Sequence, residues 1–194
     1  KFIDRLLGKM TTHNFIDSPS QRDFLVRQKV LSEQKSIIFG SGSVSGVDLK
    51  RFMPNERMRV KVRLELAIPE GAFVFIYLGR LNQDKGILDL ARAFAKIQNS
   101  KAFLLIVGPD EGGFVDKIKI INTHKSSHVK FVDFTNKPEN YLAVSDTLCL
   151  PSYREGFGNV IIEAAAMGIP AIASNIYGIS DAIINEQTGL LHTP

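Results

Sequence analysis

From Phe73 onward, short and nearly unbroken apolar runs alternate with longer stretches whose apolar positions fall three or four residues apart. The runs Phe73–Leu78, Phe103–Val107, Val129–Val132, Thr147–Leu150 and Ala171–Ala173 are predicted strands. Between the first two, residues 84–98 place Ile87, Leu90, Ala91, Phe94 and Ile97 on one helical face. Shorter helices are predicted over residues 113–122, 138–144, 159–167 and 179–184. Strands alternating with helices in this way predict an α/β domain, a parallel sheet with helices on both faces. Strands that are apolar at almost every position fit burial on both sides. Thr188–Leu191 reads as a turn and an edge strand close to where the chain stops.

The first third does not follow this rhythm. Ser18-Pro19 is a helix start with proline at the first helical position, and the helix should run to about Leu31. Ile37-Ile38-Phe39 is a predicted strand, and Gly40 to Gly46 a Gly/Ser connector. Residues 1–36 therefore read as the closing elements of a preceding domain, 37–58 as a linker, and 59–194 as the main domain, cut short at its C-terminus. No internal repeat or low-complexity segment is visible.

Composition narrows the class. Hydrophobic residues make up 44% of the chain and charged residues 23%, the values of an ordinary globular protein. The single cysteine, Cys149, cannot form an internal bridge, so a reducing, cytoplasmic setting is the simpler reading. No apolar run approaches the roughly 18 residues of a membrane span. Charge is uneven: residues 1–63 carry a balance of +7 and residues 64–194 a balance of −3. The basic first third is either a solvated face or a peripheral contact with acidic lipid head groups at the inner membrane face. Nucleic acid is not expected, because no aromatic interleaving or basic helix accompanies the charge.

Ligands of an open parallel sheet bind beyond the carboxyl ends of its strands, so the loops after the strands carry the candidate chemistry. After Phe73–Leu78 comes Gly79-Arg80-Leu81-Asn82-Gln83-Asp84-Lys85-Gly86. The planar fork of Arg80 matches phosphate oxygens, and Lys85 places a point charge where the next helix should begin. The bland reading is a strand-end salt bridge and a solvated lysine. After Thr147–Leu150 comes a segment in which Glu155 and Glu163 flank Gly156-Phe157-Gly158-Asn159-Val160-Ile161-Ile162. Glu155 lies in the loop and Glu163 one turn inside the following helix, so both should reach one cleft from different heights. Gly156 and Gly158 let backbone approach a ligand, and the amides of Gly158, Asn159 and Val160 would face an anion. A carboxylate in such a cleft suits a sugar or ribose diol. Two solvated carboxylates around a helix start are the alternative. A third loop, Gly108 to Gly113, either brings backbone close to a base or sugar or is a plain turn.

Two further features of the sequence bear on ligand binding. Gly40-Ser41-Gly42-Ser43-Val44-Ser45-Gly46 looks like a dinucleotide fingerprint, but its spacing is wrong and Pro54 blocks a long helix after it. A flexible hinge is the better reading than NAD binding. His13, His124, His128 and His192 show no metal-ligand spacing and read as surface or packing residues, so no metal site is expected.

Taken in order, Gly79-Arg80…Lys85-Gly86, Glu155 to Glu163 and Ala165-Ala166-Met167-Gly168-Ile169-Pro170 resemble the donor domain of glycosyltransferase family 4, the group 1 glycosyltransferases. Thr188-Gly189-Leu190-Leu191 continues the match, and Gly46-Val47-Asp48 with Phe52 is similar to the family's interdomain linker. The resemblance implies a Rossmann-like domain that forms the C-terminal half of a GT-B fold, with residues 1–36 left from the N-terminal acceptor domain. It implies a retaining transferase that moves a sugar from a nucleotide-diphosphate donor, expected to be a UDP sugar. The acceptor would be a saccharide or a lipid-linked glycan in polysaccharide biosynthesis. No cofactor or catalytic metal is implied. Arg80 and Lys85 would hold the diphosphate, Glu155 the transferred sugar and Glu163 the ribose, which makes Glu155, Arg80 and Lys85 the catalytic set. Gly108, Val132, Gly156, Phe157, Gly158, Asn159 and Val160 would complete the nucleotide-sugar site, with the base near Phe131-Val132-Asp133. The acceptor half is almost entirely absent, so the chain alone should not transfer sugar. The alternatives are a GT-B nucleotide-sugar epimerase and a non-catalytic nucleotide-sugar-binding module.

Overall fold

The computed structural model describes residues 2–194. In chain order the elements are α1 (Phe2–Met10), β1 (Asn14–Phe15), α2 (Pro19–Arg27), β2 (Ser36–Ile37), α3 (Glu56–Glu65), β3 (Phe73–Leu78), α4 (Ile87–Ala95), β4 (Ala102–Val107) and α5 (Phe114–Ile121). There follow β5 (Val129–Val132), α6 (Pro138–Leu142), β6 (Thr147–Leu150), α7 (Asn159–Ala166), β7 (Ala171–Ser174), α8 (Ile179–Ala182) and β8 (Gly189–His192). The last six strands form one parallel sheet in the order β5-β4-β3-β6-β7-β8. β1 and β2 pair with each other, parallel and outside that sheet.

The period of two along each strand divides the core. Val74, Ile76, Leu105, Val107, Leu148 and Leu150 face one side, where they pack with Val62 of α3, Leu142 of α6, Ile161 and Ala164 of α7 and Ile179 of α8. Tyr77, Leu104 and Ile106 face the other side and meet Ile87, Ala91 and Phe94 of α4 and Ile118 of α5. Both faces are covered, which is why the strands read as continuous apolar runs.

Two differences from the sequence reading have physical causes. The helix expected over 84–98 is a short 3₁₀ turn, Gln83–Lys85, followed by α4 from Ile87. Gly86 separates them in the left-handed conformation at φ 65°. Helix α3 lies across the boundary expected between linker and domain and was not foreseen. Its sequence, ERMRVKVRLE, is dominated by charge, and only Val62 and Arg63 are buried. Asn55 caps it, its Oδ1 accepting from the Met58 amide at 3.0 Å. Arg63 then does what an apolar face would otherwise do. Its guanidinium donates to the carbonyls of Val144, Pro69, Glu70 and Ala72 and to Asp146, tying α3 to the N-terminal ends of β3 and β6.

Candidate functional site

The strand order decides where the site lies. β3 and β6 are neighbours, yet β3 leads through α4 on one face and β6 through α7 on the other. The two connections diverge and leave a crevice at the carboxyl ends of β3 and β6, the topological switch point of a doubly wound sheet.

The loop after β3 forms one wall. The Tyr77 hydroxyl donates to the Arg80 carbonyl at 2.7 Å, and Leu81 donates its amide to Pro109 O at 2.9 Å. Asn82 Oδ1 accepts from the Lys85 amide at 3.2 Å and closes the 3₁₀ turn. Gly86 brings this wall against the other loop. A Cβ there would lie 2.0 Å from the carbonyl oxygen of Pro151, so only glycine allows the approach. The amide of Tyr153 donates to Asp84 O at 2.8 Å and adds a second tie.

The loop after β6 supplies the opposing chemistry. Lys85 Nζ lies 2.5 Å from Glu155 Oε1, and the Ser152 hydroxyl donates to the same oxygen at 3.3 Å. Both side chains of the pair are largely buried, with 19% and 16% of their surface exposed. Arg80 is more open, at 62%, and its Nη1 pairs with Glu111 Oε1 at 3.1 Å. Asn82 Nδ2 donates to Glu111 at 2.9 Å. That hydrogen bond, with the Arg80 contact, holds the Glu111 carboxyl below the usual range. A cavity of about 340 Å³ lies between the loops. Arg80, Asn82 and Lys85 line one side, and Arg154, Glu155 and Gly156 the other, with Gln21 and Tyr177 at its margin.

The residues expected from sequence fall into separate places. Arg80, Lys85, Glu155 and Gly156 share the cavity. Gly108 and Val132 line a second cavity of about 400 Å³ with Pro109, Asp110, Phe131 and Asp133, at the ends of β4 and β5. Gly108 sits at φ 143°, and a Cβ there would meet Gly79 O at 2.0 Å. Phe157 is buried, and the connector packs on it: a Cβ on Gly42 would lie 2.7 Å from its ring. Gly158 takes φ 72° ahead of α7, Asn159 accepts the Ser43 hydroxyl at 2.8 Å, and Val160 packs against the core. Glu163 is half-buried and does not line the 340 Å³ cavity. Burial raises its pKa; Arg51 opposes that shift and Glu139 adds to it.

The connector Gly40–Gly46 is tethered. The Ser43 amide donates to Asp17 O at 2.6 Å, and the Gly46 amide to Ser43 Oγ at 3.0 Å. The next helix, α3, begins only at Glu56, so the segment does not present a helix N-terminus to a dinucleotide. His124 Nε2 meets Ala95 O and His128 Nε2 meets Ser100 O, each at 3.1 Å, which are packing roles. Among the described residues, no helix is long and apolar enough to cross a membrane.

Sequence reasoning missed Gln21, Asn82, Asp84, Arg154 and Tyr177 as cavity residues. Arg154 adjoins Glu155 in sequence and was open to inference. Gln21 and Tyr177 come from distant elements, and nothing local marks them.

A doubly wound parallel sheet with two cations and a carboxylate in its switch-point crevice is the arrangement of an α/β ligand-binding domain. Residues 59–194 match the family described as Glycosyl transferases group 1, and the chain belongs to that family. It is 30% identical over 179 residues to the capsular polysaccharide biosynthesis glycosyltransferase CapM of Staphylococcus aureus, covering 90% of this chain and 46% of CapM. The chain thus spans less than half the length of that relative. Among solved structures, Anabaena HepE in complex with UDP and glucose shares the fold at TM-score 0.88 and 22% identity, covering 100% of this chain and 52% of HepE. Sucrose-phosphate synthase from Thermosynechococcus elongatus matches at TM-score 0.79 and 28% identity, over 100% of this chain and 49% of that one.

Proposed function

We propose that this chain is the donor-binding half of a retaining GT-B glycosyltransferase, with residues 1–36 closing the acceptor half and 37–58 linking the two. The observation that carries the reading is the Lys85–Glu155 pair across the switch point, with Arg80 in the same cavity. A donor diphosphate entering here takes Lys85 and Arg80 as its counter-ions, each charge-assisted hydrogen bond contributing roughly 1.5–3 kcal/mol. Glu155, released from Lys85, then accepts hydroxyls of the sugar. As the bond from the anomeric carbon to the diphosphate lengthens, the two cations stabilise the departing charge, the part a metal ion plays elsewhere. The base occupies the cavity by Phe131, Val132 and Asp133, and the Glu163 carboxylate accepts the ribose hydroxyls.

UDP is the nucleotide of this reading, supported by the UDP complex of HepE. A saccharide or lipid-linked acceptor in polysaccharide assembly is supported by the name of CapM. A thermal-shift panel of UDP, GDP and ADP with their sugars tests it on this chain. A ligand that binds only the folded state raises the melting temperature. UDP compounds should give the largest shift, and Lys85→Ala should reduce it. No shift with any nucleotide overturns the reading. Incubation with labelled UDP sugar and a mixed glycan acceptor should yield no transfer product from this chain alone.

A further inference from the structure

The donor cavity is not built by the C-terminal sheet alone. Gln21, the third residue of α2, lines it together with Glu155, Gly156 and Tyr177. Its amide lies against Gly156: a Cβ placed on that glycine would be 3.7 Å from Gln21 Nε2. Among the described residues the Gln21 side-chain amide makes no hydrogen bond, whereas its backbone amide is used by Ser18 Oγ at 3.2 Å. A carboxamide offers donors and an acceptor without charge. Set beside Glu155, and outside the β3 loop that carries Arg80 and Lys85, it matches sugar hydroxyls rather than phosphate oxygens.

The position of Gln21 is enforced across about 160 residues of chain. Asp181 Oδ2 accepts from both the amide and the hydroxyl of Ser20, at 3.0 and 2.5 Å. The Ser20 hydroxyl in turn accepts from the Gly178 amide at 2.7 Å. Gly178 stacks directly on the loop that holds Glu155, since a Cβ there would lie 2.4 Å from Gly156 O. The Ser18 hydroxyl donates to Gly156 O at 3.2 Å, and the rings of Phe24 and Tyr177 stack at 4.6 Å. The start of α2, the Gly156 loop and the start of α8 therefore form one locked unit at the margin of the cavity.

We propose that Gln21 is a specificity-determining residue that hydrogen-bonds hydroxyls of the transferred sugar, and that Ser20 and Asp181 are positioning residues that hold it there. This rests on the donor-domain reading above. The test uses the full-length enzyme, with calorimetric titration of UDP, UDP-glucose, UDP-N-acetylglucosamine, GDP-mannose and ADP-glucose. In the wild type the best nucleotide sugar should bind more tightly than its bare nucleoside diphosphate. Gln21→Ala should leave the diphosphate affinity within about twofold and weaken the nucleotide sugar about tenfold, one net hydrogen bond's worth. Asp181→Ala should reproduce that split, and Asp181→Glu should restore it. A Gln21→Ala enzyme that binds the nucleotide sugar as the wild type does overturns the proposal while leaving the donor-domain reading intact. So does an Asp181→Ala enzyme, folded by its melting curve, that retains full sugar discrimination. A wild type that binds no nucleotide at all overturns both.

Discussion

Lys85 Nζ and Glu155 Oε1 are 2.5 Å apart although 70 residues separate them in the chain. The two belong to loops leaving adjacent strands whose connections run to opposite faces of the sheet. They therefore meet where a ligand can enter, not inside a core. A largely buried ion pair is costly to break by removing one partner, because the other charge is left uncompensated. A phosphate that takes over Lys85 leaves the Glu155 carboxylate in need of new donors, a role the sugar hydroxyls fill in the proposed complex.

Lys85→Ala should lower donor affinity by about 2 kcal/mol, and Arg80→Ala by nearer ~1 kcal/mol. The smaller effect follows from the exposure of Arg80 and its standing partner, Glu111. Calorimetry on the full-length enzyme measures both. Equal affinity in wild type and the Lys85 variant would remove the phosphate role from this residue.

Gly86→Ala should destabilise the domain by about 3 kcal/mol or more, combining a left-handed backbone with a collision against Pro151 O. Gly71→Ala, where nothing lies within 4 Å, should stay within ~0.5 kcal/mol. Urea unfolding midpoints compare the two. A tolerated Gly86→Ala would mean that the two loops are not in contact.

Asp146 anchors the far end of the sheet. It accepts from the Val74 amide at 2.7 Å, from Arg59 at 2.6 Å and from the buried Arg63 at 3.1 Å. Asp146→Ala should cost about 3–5 kcal/mol, since Arg63 would lose its counter-charge in place. Donor affinity of the folded variant should be unchanged, because the cluster lies at the amino ends of β3 and β6. Chemical denaturation and a donor titration at low temperature separate the two effects.

Glu163 should make both stability and binding depend on pH. Burial raises its folded pKa above the unfolded value, so ionisation costs stability. The cost is present in full above the folded pKa and is relieved as pH falls through it. Glu163→Gln should therefore unfold at higher urea than wild type at pH 7, with the gap closing as pH falls from the raised folded value towards the ordinary glutamate value. Donor affinity should move the other way, weakening in wild type as the carboxylate is protonated. If the two proteins keep the same stability difference at every pH, Glu163 does not titrate as described.

Local signals were enough for most of the sheet. The strands from β3 to β7 are mostly apolar runs, those of β3, β4 and β5 feeding both core clusters and those of β6 and β7 one, so their positions were legible within a residue or so. That Arg80, Lys85 and Glu155 share one crevice was also legible, because a parallel sheet gathers the loops after its strands at one end. The break between Lys85 and α4 was not, since Gly86 adopts a left-handed backbone packed against Pro151, which is remote in sequence. Helix α3 escaped notice because a buried arginine, not an apolar stripe, fastens it.

Composition, periodicity and loop chemistry by themselves determined an α/β domain and which strand-end loops carry its cations and carboxylates. They act through interactions within a few residues of chain, which a pattern records. Tertiary structure alone decided that Glu155 is the partner of Lys85, that Glu163 lies outside their cavity, and that Gln21 and Tyr177 border it. Those facts follow from strand order and from the docking of α2 on α8, where residues meet because separate elements bury a shared surface.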